Sequence, residues 1–142
     1  MFEEIAVEIE MILDFPISDE VLEELGDDVE GNIRSFLHER EEIGEPVTVA
    51  AIEEHFSDQL DKLWSMKYAS KDLHYVIEDT ADEVGVEIDP YTANYLNRLK
   101  TSVAANLLYA SAIVAKWEGD EAVEIEIVDD LCHDVFNKTL RC

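Results

Sequence analysis

The sequence predicts an all-α protein in which one helical unit occurs twice. Only five glycines and three prolines interrupt the 142 residues, which favours helix. Two long stripes of apolar residues follow the period of a helix, and shorter stretches flank both stripes in the same order. Apolar residues make up 47% of the chain, so the protein can build a core despite its high charge.

The first unit, expected over residues 1–63, begins with a short amphipathic helix and continues with a long one. Ser18 and Asp19 form a start signal for the long helix, and Gly44 suits its C-terminal end. Residues 47–49 then form a β-like patch ahead of another short helix. The first short helix is marked by Phe2, Ile5, Ile9 and Ile12. The stripe of the long helix consists of Leu22, Leu25, Val29, Ile33, Phe36, Arg40 and Ile43.

The second unit, expected over residues 73–142 after a linker at residues 64–72, has the same order. Asp89 and Pro90 form the start signal of its long helix, and Gly119 suits its end. Its first short helix is marked by Leu73, Ile77, Ala81 and Val84. The long stripe repeats the intervals of the first stripe 74 residues later, and its last member is expected to be structural. This stripe consists of Leu96, Leu99, Val103, Leu107, Ala110, Val114 and Trp117.

The repeat is clearest after the long helices, where PVTVAAIEEHF (46–56) and AVEIEIVDDLC (122–132) match in pattern. In both segments a β-like patch runs into a short acidic helix, and apolar residues fall at matched positions. Ile17 and Ile88 are further β-like residues, each just before the start of a long helix. Because the order of elements recurs along with the spacing, we interpret the chain as a duplicated structural unit.

This succession of short, long and short helices resembles the histone fold, and two copies in one chain resemble the archaeal doublet histones. The second unit is the closer match, and small residues line its long helix: Ala104, Ala105, Ala110, Ala112 and Ala115. The first unit is shorter, since Ile17 to Val47 spans five positions fewer than Ile88 to Val123. The resemblance implies a tandem histone-fold pseudodimer, in which the long helices cross and the two stripes form a shared core.

The charge of the chain restricts the partners that it can bind. Acidic side chains number 35 against 10 basic ones, for a net charge of −25. Such a field repels nucleic acid and anionic membranes and attracts basic proteins and cations. A salt-rich host is the other explanation of this acidity. The chain has no run of 18 apolar residues and no basic start, so we expect a soluble cytoplasmic protein without a membrane partner.

The family resemblance implies DNA binding, but the residues that would carry it are missing. Family members typically hold DNA backbones with basic residues in the loops and at helix N-termini. The matching loops here read DFPISD, IGEPVT, VEIDP and EGDEAVE, without lysine or arginine. We therefore expect weak or no DNA wrapping. The alternative within this fold is an acidic nucleoid-associated DNA-binding protein.

The function that we predict is protein association by a non-catalytic histone-fold protein in a transcription- or nucleoid-related assembly. The expected partner is a basic protein or another histone-fold protein. Trp64 and Tyr68, in the linker, are the predicted protein-contact residues, because exposed aromatic side chains often anchor partners. The competing interpretation is that these aromatic residues pack between the two halves. The predicted function needs no catalytic residue and no cofactor.

Paired carboxylates on the helices support an enzymatic alternative. Glu23, Glu24 and Asp27 resemble the first motif of the all-α nucleoside triphosphate pyrophosphohydrolases, EExxE, with aspartate in the last place. Asp79 and Asp82 loosely resemble their second motif. The resemblance implies that these five residues hold Mg²⁺ and position water for attack on a phosphoanhydride. The competing interpretation is a solvated acidic helix face, because a quarter of the residues are acidic and such spacings arise readily by chance.

Overall fold

The protein is a bundle of helices in a computed structural model that describes residues 1–136. The prediction of an all-α protein is confirmed, since the described residues contain seven helices and only isolated β-bridges. The helices are α1 (Glu3–Leu13), α2 (Asp19–Ile43), α3 (Val49–His55), α4 (Ser57–Lys62), α5 (Lys71–Val84), α6 (Pro90–Trp117) and α7 (Ile125–Phe136).

Four helices begin at a side chain that accepts a hydrogen bond from the backbone of the first turn. Ser18 caps α2, Thr48 caps α3, Ser70 caps α5 and Asp89 caps α6. Each cap satisfies an N–H group that the first helical turn leaves without an intrahelical partner. α2 ends at Gly44, whose φ of 77° lies in the left-handed region that glycine favours. The predicted start and end signals of α2 are therefore confirmed.

Both halves of the chain follow the predicted order of short, long and short helices. In the first half α1, α2 and α3 have 11, 25 and 7 residues. In the second half α5, α6 and α7 have 14, 28 and 12 residues. α2 is thus three residues shorter than α6 (28 − 25), as the shorter first unit predicted. α4 has six residues and follows α3, and α5 takes in the last two residues of the expected linker.

The two halves are joined by a reciprocal pair of backbone contacts. Ile17, just before α2, forms a parallel bridge with Val123, just before α7. Val47, just before α3, pairs in the same way with Ile88, just before α6. The hydrogen bonds run from the Val47 N–H to the carbonyl of Glu87 (2.8 Å) and from the Val123 N–H to that of Pro16 (3.3 Å). All four bridging residues are β-like positions of the sequence, and each pairs with the other half of the chain.

The core extends across both halves, with α6 at its centre. Seventeen of the 28 residues of α6 are buried, against eight of the 25 residues of α2. The first five residues of the α2 stripe and the first four of the α6 stripe are buried, as predicted. The ends of both stripes leave the core, since Ile43 is 55% and Trp117 90% exposed.

The expectation that Trp117 is structural is wrong. Trp117 is the last residue of α6, and the chain turns immediately afterwards at Gly119. Helical periodicity predicts which side of a helix is apolar, but it does not tell how far along that side a neighbouring helix reaches.

Candidate protein-contact site

The segment that joins the halves, residues 63–70, runs along α6 as an extended strap. Polar side chains of α6 hold the strap by its backbone. The Trp64 N–H donates to Asn106 Oδ1 (2.9 Å), the Tyr68 N–H to Ser102 Oγ (3.2 Å) and the Ser70 N–H to Asn97 Oδ1 (3.0 Å). Asn97 also donates from Nδ2 to the Ser70 carbonyl at 2.9 Å. The strap is therefore a fixed part of the structure.

Sequence analysis missed the three α6 side chains that hold the strap. Asn97, Ser102 and Asn106 are buried, although asparagine and serine are mostly surface residues. Buried polar groups are stable only when they are hydrogen-bonded, and the strap backbone supplies the partners here. The signal in the sequence was a row of neutral polar residues, at spacings of five and four, along one side of α6.

The two predicted contact residues, Trp64 and Tyr68, lie on this strap in different surroundings. Trp64 is held by its backbone, while its residue surface is 70% exposed. Tyr68 is partly buried, and its hydroxyl donates to Glu8 Oε2 at 2.7 Å. Trp64 is thus free to meet a partner, whereas Tyr68 is tied to α1. Their role in binding stays a prediction.

Glu8 links α1, the strap and α6 through two tyrosine hydroxyls. The Tyr109 hydroxyl donates to the same Glu8 oxygen at 2.8 Å. The hydrogen bond from Tyr68, followed by that from Tyr109, lowers the pKa of Glu8, because both stabilise the carboxylate. Burial and the neighbouring Glu8 carboxylate in turn raise the pKa of Tyr109. Glu8 is therefore an ionised acceptor that ties three segments together.

This cluster opens into an acidic cleft of about 730 Å³ between the N-terminus and the strap. Glu3, Glu4, Glu8 and Asp72 line the cleft together with Tyr68. Lys71 and the amino group of Met1 supply positive charge to the lining, and the Met1 amino group pairs with Glu3 and Asp72. Carboxylates beside an aromatic ring suit a cationic group better than an anion.

Lys100 lies at the centre of the molecule and is fully buried. Its ammonium donates to Asn32 Oδ1 of α2 at 2.7 Å and to Gln59 Oε1 of α4 at 2.8 Å. It also lies 4.5 Å from the centroid of the Phe56 ring. Because these partners carry no negative charge to stabilise the ammonium, burial lowers the pKa of Lys100 to about 7. The burial of Lys100 has no signal in the sequence, because a single lysine in a helix is ordinarily a surface residue.

The five carboxylates of the enzymatic alternative are divided between α2 and α5, and those that line clefts line different ones. Glu23 and Asp27 are exposed on α2 and line a cleft beside Met1. Asp82 lines another cleft, next to the bridge between Val47 and Ile88. Asp79 is exposed on α5, and Glu24 is partly buried on α2. Within residues 1–136, no group of three or more His, Cys, Asp or Glu side chains is arranged to hold a metal ion.

Comparisons with protein-family models, with curated proteins and with solved structures find no match to this chain. No helix in the described part of the chain is both long and apolar enough to cross a membrane. Function must therefore be inferred from the residues of this chain.

Proposed function

We propose that the chain is a tandem histone-fold pseudodimer that binds a basic protein and has no catalytic activity. The reciprocal bridges support this proposal, because each β-like patch pairs with the loop before the long helix of the other half. This is the arrangement expected when two short–long–short units clasp each other. Fusing the units in one chain makes their association intramolecular, at a high effective concentration.

The observation that carries the proposal is the chemistry of the paired loops. The bridge between Ile17 and Val123 brings together residues 14–18 and residues 118–124. The bridge between Val47 and Ile88 brings together residues 44–48 and 85–89. None of these four loops contains lysine or arginine. Their carboxylates are those of Asp14, Glu45, Glu87, Asp89, Glu118, Asp120, Glu121 and Glu124.

Loops with this composition repel DNA and attract cationic proteins. Binding to a DNA backbone depends on positive or donor groups beside the phosphates. The paired loops present carboxylates in those places, and the whole chain has a net charge of −25. A basic protein, or a histone-fold protein with a basic surface, gains from the same field. A transcription- or nucleoid-related assembly supplies partners of this kind.

Trp64 is the contact residue that the geometry favours, with Tyr68 beside it on the strap. An aromatic residue that a fixed backbone holds in an exposed position loses little conformational freedom on binding. Tryptophan and tyrosine are also among the residues that most often dominate binding energy. Trp64→Ala should therefore weaken partner binding without lowering stability.

The experiment compares binding of polylysine and of duplex DNA across a range of salt concentrations. We expect polylysine to bind and to weaken as salt rises, and DNA not to bind at physiological salt. DNA binding that persists at physiological salt would overturn the proposal in favour of a nucleoid-associated DNA-binding protein. Release of pyrophosphate from nucleoside triphosphates that requires Mg²⁺ and is lost in Glu24→Ala would overturn it in favour of the enzyme.

A further inference from the structure

The end of the molecule where α1 and α6 finish carries exposed apolar side chains. Ile12 is 64%, Ile113 50% and Trp117 90% exposed. The exposed part of an apolar side chain contributes no burial energy to folding, and a group of such side chains commonly marks a binding surface.

Two contacts between α1 and α6 fix the relative direction of the two helices at this end. Glu8 meets Tyr109, and further along the Lys116 ammonium donates to the Leu13 carbonyl at 2.6 Å. The two helices therefore advance in the same direction at this end.

Residues four apart lie on the same face of a helix. Ile12 is one turn beyond Glu8, and Ile113 is one turn beyond Tyr109, so each lies on the side of its helix that carries the contact between Glu8 and Tyr109. Trp117 follows Ile113 by one further turn. We call the surface made by Ile12, Ile113 and Trp117 the α1–α6 face.

The strap extends the α1–α6 face toward the predicted contact residue. The backbone of Trp64 is held by Asn106, which lies seven residues, or two helical turns, before Ile113 on the same side of α6. Trp64, Ile113 and Trp117 therefore follow one side of α6. One partner segment lying along this side would meet all three.

Acidic residues surround the α1–α6 face. Asp14 follows α1, while Glu118, Asp120 and Glu121 follow α6 directly, and all four are exposed. Lys116 is the basic residue at this end, and its ammonium is already bound to the Leu13 carbonyl. A partner that covers the apolar centre must therefore bring cationic groups to the edge.

We propose that the α1–α6 face docks a basic amphipathic segment of another protein, with apolar side chains on Ile12, Ile113 and Trp117 and lysine or arginine facing the surrounding carboxylates. This inference rests on the proposed function and names the surface that performs it. A second copy of this chain fits the face poorly, because each copy has a net charge of −25 and brings no complementary charge. DNA fits it poorly for the same reason.

The test uses two synthetic peptides of equal positive charge, one made of lysine and leucine and one of lysine and serine. Dissociation constants are measured by fluorescence anisotropy of the labelled peptides at physiological salt, where long-range attraction between exposed charges is screened. We expect the lysine–leucine peptide to bind the full chain more tightly than the lysine–serine peptide.

The chain offers matched variants that separate docking from general attraction. Ile113→Ser and Ile43→Ser remove the same side chain at similar exposure, but only Ile113 belongs to the α1–α6 face. We expect Ile113→Ser and Trp117→Ala each to weaken binding of the lysine–leucine peptide by about tenfold, a typical effect for an anchor residue. Ile43→Ser should leave the dissociation constant within about twofold of the original. The lysine–serine peptide should not distinguish these variants.

The results that would contradict the proposed function differ from those that would contradict only the proposed surface. If the chain binds neither peptide, even at low salt, the proposed function falls together with this inference. If the lysine–leucine peptide binds but Ile113→Ser and Trp117→Ala bind it equally well, only the surface is wrong. If light scattering shows that the chain alone forms a dimer that Trp117→Ala dissociates, the face binds a second copy and the proposal of a basic partner for it is overturned.

Discussion

α2 and α6 have the same apolar rhythm, but they face different surroundings. The polar side of α6 is covered by the strap, and there Asn97 and Thr101 are buried and hydrogen-bonded. The positions 74 residues earlier on α2 are Glu23 and Asp27, which are exposed. The matched positions are thus neutral where a segment covers them and acidic where water does.

This comparison gives a physical account of the EExxD spacing in the first half. Glu23 occupies the place of Asn97, which holds the strap in the second half, and Asp27 occupies the place of Thr101, which donates to Asn97. A carboxylate at such a place is stable in water and costly under a covering segment. The exposure of Glu23 and Asp27 is thus the exposure expected of a solvated helix face.

A second pair of matched positions on α2 and α6 also holds different residues because the two positions have different neighbours. Gly26 on α2 lies against Met1, and an added Cβ would meet the Met1 Cβ at 3.7 Å. The matched residue on α6 is Lys100, which reaches Asn32 and Gln59. The apolar stripe therefore recurs in both helices, whereas the residues beside the stripe differ with their surroundings.

The largest effect that we expect comes from Lys100. Its pKa of about 7 in the folded protein lies below the value of about 10.5 for an unfolded chain. Between these two values the unfolded chain binds one more proton than the folded chain, so stability rises with pH. The folding equilibrium constant should increase by up to about tenfold per pH unit across this window.

Urea unfolding, followed by circular dichroism from pH 7 to pH 10, checks this expectation. Lys100→Met removes the titrating group and should flatten the rise, whereas Lys71→Met, on the exposed start of α5, should keep it. An equal slope in the original chain and in Lys100→Met would show that Lys100 does not control it.

The next largest effect that we expect is a difference in the free energy of unfolding between variants on the covered polar side of α6 and on the exposed polar side of α2. Asn97→Ala leaves the N–H and carbonyl of Ser70 without their side-chain partner, and should lower the free energy of unfolding by about 2 to 3 kcal/mol. Glu23→Ala, at the matched position on α2, should change it by less than about 0.5 kcal/mol, because the side chain faces water. Thermal or urea unfolding measures both, and similar losses would mean that the two polar sides are equivalent.

The smallest expected effect is a change in stability that has opposite signs at two small residues in matched positions of α2 and α6. Gly31 lies in the exposed middle of α2 with nothing within 4 Å of an added Cβ, so Gly31→Ala should stabilise the protein by about 0.5 to 1 kcal/mol. Ala105, its counterpart on α6, is fully buried, and Ala105→Gly should destabilise by about 1 to 2 kcal/mol, since packing is lost along with helix propensity. Differential scanning calorimetry resolves the two changes. Equal magnitudes would show that α6 gains nothing from its central position.

The helices were largely predictable because their signals are local. Caps such as Ser18 and Asp89 act within one turn, and the apolar stripes depend on the period of a helix. The β-like positions were also recognisable, including Ile17 and Val123, although nothing in the sequence stated that they would pair across the halves. The candidate site was predictable only in part: Trp64 was identified, but its neighbours Ile113 and Trp117 were read as core or left aside.

The helical class, the repeated order of the helices and the high acidity can all be recognised in the sequence. Which surfaces are covered depends on the packing of the helices and the strap. In the folded protein the strap is hydrogen-bonded to Asn97 and Asn106, Lys100 is buried between α2 and α4, and Trp117 is exposed to water. The physical reason is that helix formation depends on residues a few positions apart, whereas burial depends on which distant segments come to lie alongside.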